Sequence, residues 1–209
     1  MTCGPQTAEI FYRLVVDRRS IRRYEASAVP KETLGRILTA AGWAPSAHNR
    51  QPWRFAILTA FHWKDRLARA MGERLRRDRL ADGDPVAAID QDISRSYARI
   101  TGTPVAIVVA LDMSDMDRYP DDRQRAERTM AVQSTAMATQ NLLLAAHAEG
   151  LGACWMCAPL FCPDVVAEAL ALPERWEPQA IVTLGEAAGP GKPATRRPIG
   201  EISWRPTEP

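Results

Sequence analysis

The chain has 209 residues, of which 46% are hydrophobic and 25% are charged, which fits one globular domain over residues 1–209 and excludes a disordered or fibrous protein. Its 27 basic and 25 acidic residues leave a net charge of +2, without the overall excess of a nucleic-acid binder. No apolar run approaches the roughly 20 residues of a membrane span, and the N-terminus lacks a signal-peptide pattern. We therefore expect a cytoplasmic protein with neither a nucleic-acid nor a membrane partner.

The first half of the chain predicts helices interrupted by one strand. Apolar residues recur at helical spacing over 7–16 and again from Pro30 to Gly42, where Pro30 suits a first helical position. Residues 43–52 are too rich in proline and small polar residues to be regular, and the aromatic and β-branched run 53–59 indicates a strand. Two further helical patterns fill residues 61–100, with a break at 82–85.

The second half predicts a buried strand, a long helix and a proline-rich tail. Residues 104–112 are nearly all apolar, as expected of a mid-sheet strand covered on both faces. The helix over 123–149 has few charges after Arg128, so we expect it to be buried in a large core or between subunits. Strands at 151–157 and 179–185 flank a short helix that begins at Pro163. The tail from Gly189 contains five prolines, which predicts an extended arm without a helix or a central strand.

The segment RRSIRR at 18–23 is a candidate anion site. Three or four guanidinium groups around the hydroxyl of Ser20 could hold a phosphate dianion through charge-assisted hydrogen bonds. The alternative is a solvated basic turn in a chain with 24 arginines among its 27 basic residues.

The loop PSAHNRQPW at 45–53 is a second candidate. Its two prolines fix a segment that offers hydroxyl and amide groups, which suits recognition of a flat ring. A hydrolase built on Ser46 and His48 is disfavoured, because no G-x-S-x-G turn occurs in the sequence.

Three of the four cysteines, Cys154, Cys157 and Cys162, fall within nine positions. The C-x-x-C spacing permits a thiol redox pair, but the predicted strand context lacks the helix N-terminus that lowers a thiol pKa. A zinc site needs a fourth ligand that the sequence does not indicate. Structural thiols are the favoured interpretation, and the two alternatives remain open.

Four segments together resemble the FMN-dependent nitroreductase superfamily: RRSIRRY from 18, APSAHNRQPWRFAIL from 44, AAHAEGLGACW from 145 and RRPIGEIS from 196. They span nearly the whole chain in the order of that family. The segment FCPDVVAEALALPERWEPQAIVTLG from 161 looks most like the C-terminal reductase domain of enzymes that mature a deazaflavin coenzyme. The resemblance implies an α+β fold with a central mixed sheet flanked by helices. It also implies an intertwined homodimer with an extended C-terminal arm.

The resemblance further implies FMN at two sites between the subunits, with no catalytic side chain, no metal, and a flavin that carries the chemistry. In this resemblance, the basic segment and the tail bind the FMN phosphate and ribityl chain. This chain has Ala194 where many relatives have a lysine. The loop at 45–51 reaches the flavin of the other subunit, and residues 155–158 run under its ring, with backbone donors near Cys157 and Ala158. The implied cofactor-binding residues are Arg18, Arg19, Ser20, Arg22, Pro45, Ser46, Asn49, Gln51, Trp155, Met156, Cys157, Ala158, Arg196 and Arg197.

The implied reaction moves hydride from NAD(P)H, or from a reduced deazaflavin, to a small planar acceptor in a ping-pong cycle. Nitroaromatics, quinones and flavin-like compounds are the expected acceptors. The aromatic residues Trp43, Phe61 and Trp63 either shape the acceptor pocket or are structural. Two alternative functions are a reductase of deazaflavin-coenzyme biosynthesis and a flavin-binding module without turnover. A third alternative is a nucleic-acid binder that uses the basic stretch 66–79. The acidic residues within that stretch instead favour a solvated helix face.

Overall fold

A computed structural model describes residues 4–206. Within them lie seven α-helices, four β-strands and two short 3-10 turns, at Ala47–Asn49 and Ala158–Phe161. No helix in this range is both long and apolar enough to cross a membrane. The elements in chain order are α1 (Pro5–Asp17), α2 (Lys31–Gly42), β1 (Trp53–Leu58), α3 (Phe61–Ala81), α4 (Val86–Thr101), β2 (Val105–Asp112), α5 (Arg123–Ala148), β3 (Gly152–Met156), α6 (Pro163–Leu170), β4 (Trp176–Gly185) and α7 (Ile199–Ile202).

The four strands form one sheet in the order β1-β2-β4-β3, and every neighbouring pair is antiparallel. Among residues 4–206, a parallel contact occurs only as an isolated bridge between Ser20 and Ala153, which adds the basic segment to the outer edge of β3. The α+β class is confirmed. The predicted mixed sheet is therefore antiparallel in its strands and parallel only at this bridge.

The sheet is covered by helices on both faces, as the apolar sequence of β2 predicts. All eight residues of β2 are buried. The side chains of Val105 and Ile107 face α2 and α5, where they meet Ile37 and Leu142. Because side chains alternate along a strand, those of β2 that lie between them face α3, α4 and α6 instead. The site described below lies at the β3 edge of this sheet.

Helices α1 and α5 are incompletely covered within one chain. Nine residues of α5 are buried, including Ala138 and Leu142, while Met137 and the polar residues beside it face outward. Helix α1 has no buried residue, and apart from the half-buried Leu14 its large apolar side chains are more than two-fifths exposed, with Val16 at 66%. An amphipathic helix gains most of its stability from packing, and these two surfaces have no packing partner among residues 4–206.

The tail differs from its prediction at one place. The expectation that no helix would form after Gly189 is wrong, because residues Ile199–Ile202 make one helical turn directly after Pro198. Proline fixes the backbone angle that suits a helix start, and no further proline follows until Pro206. The remainder of the described arm is extended, and residues 207–209 lie outside the described range.

The contact between the basic segment and β3 predicts a stability effect at Gly152. A Cβ atom at this position would lie 2.7 Å from the Cβ of Ile21, so Gly152→Ala must displace the basic segment. We expect the free energy of unfolding to fall by about 1–3 kcal/mol, measured by urea denaturation. The matched control is Gly35→Ala on α2, where a Cβ meets nothing within 4 Å and the free energy should stay constant or rise by up to about 1 kcal/mol. Equal stabilities for the two variants would contradict this packing.

Candidate active site

The basic segment is fixed in place along the edge of β3. The main-chain N–H of Ile21 donates to the carbonyl of Ala153 at 3.0 Å. At the end of the segment, the Tyr24 hydroxyl lies 2.7 Å from the Thr183 hydroxyl and also contacts the carbonyl oxygens of Ile21 and Thr183. Burial raises the pKa of Tyr24, so its phenol stays protonated and keeps donating. The backbone between these two anchors is therefore held in a defined position.

A cleft of about 340 Å³ lies between the basic segment and the start of the tail. It contains three cationic side chains, Arg22, Arg23 and Lys192, and no carboxylate. Within residues 4–206 none of the three is within 4 Å of an acidic group. Unpaired cations around a hydroxyl are the features of an anion-binding site. The lining residues are Ser20, Ile21, Arg22, Arg23, Ala188, Gly189, Pro190, Gly191 and Lys192.

The other two predicted residues of this segment, Arg18 and Arg19, line an adjacent cavity of about 530 Å³ that also contacts His147. Arg19 donates to the carbonyl oxygens of Val16 and Arg18 at the end of α1. Its guanidinium thus satisfies carbonyls that a helix end leaves without partners. The structure places Ser20 and Arg22 in one cleft, whereas the Arg19 guanidinium contacts the end of α1.

Arg99 is a cation near this site that the sequence analysis did not select. Burial raises the pKa of the Cys154 thiol, and the nearby charges of Arg22, Arg99 and Arg18, with the Ser20 hydroxyl, oppose that rise. Lys192, which lines the cleft, also lies outside the motifs that the sequence suggests. Arg99 ends a helix about 80 positions along the chain from Ser20, so only the fold reveals their proximity.

The edge of β3 offers main-chain groups beside the cleft. Ala153 directs its carbonyl away from β4 and toward Ile21, and the alternation of an antiparallel strand puts the N–H of Trp155 on the same edge. Beyond Ala153, no strand covers this edge within residues 4–206. Met156 packs on the α3–α6 side, Cys157 is exposed, and Ala158 begins the next 3-10 turn. The uncovered edge of β3 therefore presents main-chain N–H donors to a bound ligand.

Trp155 carries a buried polar atom without a partner. The indole Nε1 is inaccessible to solvent and has no hydrogen-bond acceptor within the described part of the chain. Buried N–H groups are satisfied in most native structures. The Trp155 side chain packs against the core between the sheet and helices α2 and α5, so this unpaired donor faces the interior of the described chain.

The loop at 45–51 is held in a strained conformation. His48, Asn49 and Gln51 have φ angles of 50°, 54° and 49°, in the left-handed region that costs energy for residues other than glycine. The Ser46 hydroxyl accepts the N–H of Gln51 at 3.0 Å, and the Gln51 amide contacts Asn49. Pro45, Asn49 and Gln51 are exposed and Ser46 is half-buried. The loop thus presents an ordered set of polar groups to its surroundings.

One chain does not bring this loop to the cleft. The loop leads into β1, and β1 and β3 form opposite edges of the four-stranded sheet. Three strand spacings of about 4.8 Å separate the two edges by roughly 14 Å. Within one chain, the loop and the cleft therefore lie at opposite edges of the sheet.

Arg196 and Arg197 lie further along the tail. Both are exposed, and the Arg196 guanidinium donates to the carbonyl of Thr195 at 2.8 Å. Neither lines the cleft within the described chain. Their predicted contact with the phosphate stays a prediction.

Two of the three clustered cysteines show the features of structural thiols. Cys154 and Cys162 are buried, Cys157 is exposed, and all three are free thiols. Burial raises the pKa of both buried thiols, the direction opposite to that of a nucleophilic cysteine. Among residues 4–206, no three His, Cys, Asp or Glu side chains are arranged to hold a metal ion.

The basic stretch 66–79 on α3 is neutralised by nearby carboxylates. Arg69 pairs with Asp65, and Arg74 pairs with Asp78 and Asp164. Paired guanidinium groups have little charge to offer a phosphate backbone. This pattern is that of a solvated helix face. Two further pairs, Arg76 to Asp90 and Arg79 to Asp92, link α3 to α4, while Arg79 also pairs with Asp84 in the connecting loop and Arg77 pairs with Asp78 within α3.

Comparison with known proteins agrees with this geometry. Residues 15–186 match the model of the nitroreductase family. An NADH dehydrogenase of Thermus thermophilus is 31% identical over 214 aligned residues, which cover 90% of this chain and 92% of the relative. A candidate NADH dehydrogenase/NAD(P)H nitroreductase of Methanothermobacter thermautotrophicus is 31% identical over 177 residues, which cover 83% of this chain and 76% of that protein. The crystal structure of a candidate nitroreductase of Desulfovibrio desulfuricans in complex with FMN has a TM-score of 0.72 and 30% identity, with full coverage of both chains.

Proposed function

The chain belongs to the nitroreductase family and is an FMN-dependent oxidoreductase, and from this premise we propose that it transfers hydride from NAD(P)H to a small planar acceptor in a ping-pong cycle. Bound FMN supplies the two-electron chemistry that links a hydride donor to an acceptor. The protein binds, orients and shields the reacting groups.

The residues present fit FMN. The cleft beside Ser20 offers cations without acidic partners, which suits a phosphate dianion. The adjoining edge of β3 offers the main-chain N–H of Trp155 and the N–H groups near Cys157, which suit the polar edge of a flavin ring. In this arrangement Ser20 and Arg22 hold the phosphate, and residues 155–158 orient the ring.

The observation that carries the proposal is the juxtaposition of the cation-lined cleft and the uncovered edge of β3. A phosphate site alone would serve many nucleotides. Here Ile21 bonds directly to Ala153 of β3, so a ligand held in the cleft extends along the strand toward Cys157. The sequence contains no G-x-G-x-x-G turn for a dinucleotide pyrophosphate, which favours a mononucleotide.

We further propose that the active form is a homodimer with two composite sites. Large apolar side chains are exposed on α1, on the outward face of α5 and on the arm at Ile199, Ile202 and Trp204, and such groups of exposed apolar side chains mark interaction surfaces. The strained loop at 45–51 lies too far from the cleft of its own chain and would reach that of a partner. A dimer accounts for both features.

The donor and the acceptor define two alternatives within the proposal. A reduced deazaflavin could replace NAD(P)H, as the resemblance of residues 161–185 to deazaflavin-maturation domains suggests. A binding module without turnover would keep the same cleft and strand edge. Turnover with NADH or NADPH as the only effective donor would exclude a binding module without turnover. Turnover with reduced deazaflavin, and with neither nicotinamide, would favour the maturation reductase.

Steady-state kinetics test the ping-pong cycle. Initial rates are measured while NADPH or NADH is varied at several fixed concentrations of a quinone acceptor. We expect parallel lines in double-reciprocal plots, because donor and acceptor use one site in turn. Intersecting lines would contradict a shared site, and no turnover with any donor would contradict the proposed function.

The exposed thiol of Cys157 should be dispensable. Cys157→Ser keeps the main-chain N–H at the edge of β3, so kcat should fall by less than about tenfold, or roughly 1.4 kcal/mol of barrier. By contrast, Ala158→Pro removes one main-chain donor and should lower kcat much further. Loss of turnover in Cys157→Ser at normal FMN content would instead assign a chemical role to the sulfur.

A further inference from the structure

We propose that Lys192 binds the FMN phosphate and supplies the cation that Ala194 does not. This inference rests on the proposed placement of FMN in the cleft between the basic segment and the tail. It concerns a residue outside the four family-like segments, because Lys192 precedes the RRPIGEIS motif by four positions.

The backbone around Lys192 brings the tail unusually close to the basic segment. A Cβ atom on Gly191 would lie 2.4 Å from the Cβ of Arg19 and 3.1 Å from the Cδ1 of Ile21. Only glycine permits this approach without displacement of one segment. Gly189 adopts a φ of 148°, which other residues rarely adopt. Two glycines thus direct the chain so that Lys192 follows directly at the wall of the cleft.

Main-chain hydrogen bonds hold the two walls of the cleft together. The N–H of Ala188 donates to the carbonyl of Arg23 at 3.1 Å, and the N–H of Glu25 donates to the carbonyl of Glu186 at 2.9 Å. The tail therefore leaves the sheet attached to the basic segment. The position of Lys192 opposite Ser20 and Arg22 follows from this pairing rather than from chance contact of a free arm.

The charges of the cleft favour a phosphate over a neutral ligand. Lys192 is one of only three lysines in the chain, and in the described residues it has no acidic group within 4 Å. Its neighbours in the cleft, Arg22 and Arg23, are likewise unpaired. Three adjacent cations repel one another, and a dianion bound among them removes that repulsion. The cleft therefore discriminates FMN from riboflavin, which has the same ring but no phosphate.

Equilibrium dialysis of the full-length protein against FMN and against riboflavin tests the proposal. Lys192→Gln should weaken FMN binding by about tenfold or more and change riboflavin binding by less than about twofold. Lys192→Arg, which keeps the charge, should restore most of the FMN affinity. Gly191→Val leaves every charge in place but forces the tail off Arg19, so it should weaken FMN binding as well. The matched control is Lys31→Gln on α2, outside the cleft, which should bind both flavins as the wild type does.

The outcomes separate this inference from the proposed function. FMN affinity within about twofold of wild type in Lys192→Gln would overturn the role of Lys192 and leave the proposed function intact. Equal weakening of FMN and riboflavin would also overturn it, because the lysine would then contact the ring or support the fold. If the wild-type protein binds neither flavin, both the inference and the proposed function fail.

Discussion

Replacing Arg22 with alanine is expected to weaken FMN binding by about tenfold or more, because a charge-assisted hydrogen bond contributes roughly 1.5–3 kcal/mol. Arg22 lines the cleft beside Ser20 and has no competing carboxylate in the described residues. The dissociation constant, measured by quenching of flavin fluorescence, reports the loss. Because the side chain is exposed, the substitution should leave the midpoint of thermal unfolding of the flavin-free protein nearly unchanged.

A matched variant distinguishes a local contact from a general effect of charge. Arg118 is also exposed and is in no ion pair within residues 4–206, but it lies near Asp112, at the end of the sheet away from the cleft. Arg118→Ala should bind FMN as tightly as the wild type. Equal losses in the two variants would show that Arg22 acts only through net charge, and an unchanged affinity in Arg22→Ala would remove the cleft from the FMN site.

Removal of residues 198–209 is expected to dissociate the homodimer and to abolish most turnover. The deletion keeps Lys192, Arg196 and Arg197 but removes Ile199, Ile202 and Trp204, the last of which is 85% exposed within one chain. Burial of each such side chain contributes about 1.5–3 kcal/mol, so the dimer dissociation constant should rise at least about a thousandfold. Sedimentation velocity at micromolar concentration measures the change in mass.

A triple alanine variant at Ile199, Ile202 and Trp204 keeps the length of the arm and should dissociate in the same way. Turnover should then recover at high protein concentration, because the composite sites re-form with the dimer. A flavin-loaded, active monomer would contradict both the dimer and the contribution of the loop at 45–51 to a partner.

Elements with strong periodicity could be predicted from the sequence to within a few residues. The apolar run in β2 identified a strand covered on both faces, and Gly150 placed the end of α5 correctly. The short turn at Ile199–Ile202 was missed, because proline content outweighed a local helix start. The left-handed angles of His48, Asn49 and Gln51 were also inaccessible, since those residue types adopt ordinary conformations in most contexts.

The site could be predicted only where its residues share a motif. Ser20 and Arg22 lie in one short segment, and their joint placement in a cleft followed from the sequence. Lys192 and Arg99 reach the same region from positions about 170 and 80 residues away, through contacts that depend on the approach of Gly191 and on the course of α4. No local sequence pattern predicts that two distant segments pack this closely, because their proximity depends on the tertiary fold.

The most direct test of the central claim is anaerobic mixing of the purified FMN-loaded protein with NADPH, NADH or a reduced deazaflavin, followed by a quinone or nitroaromatic acceptor. Absorbance near the long-wavelength flavin band reports the oxidation state at each step. An FMN-dependent oxidoreductase should lose this absorbance with at least one donor, before any acceptor is present, and regain it when the acceptor is added after the donor is exhausted. A flavin that stays oxidised with every donor would contradict the account.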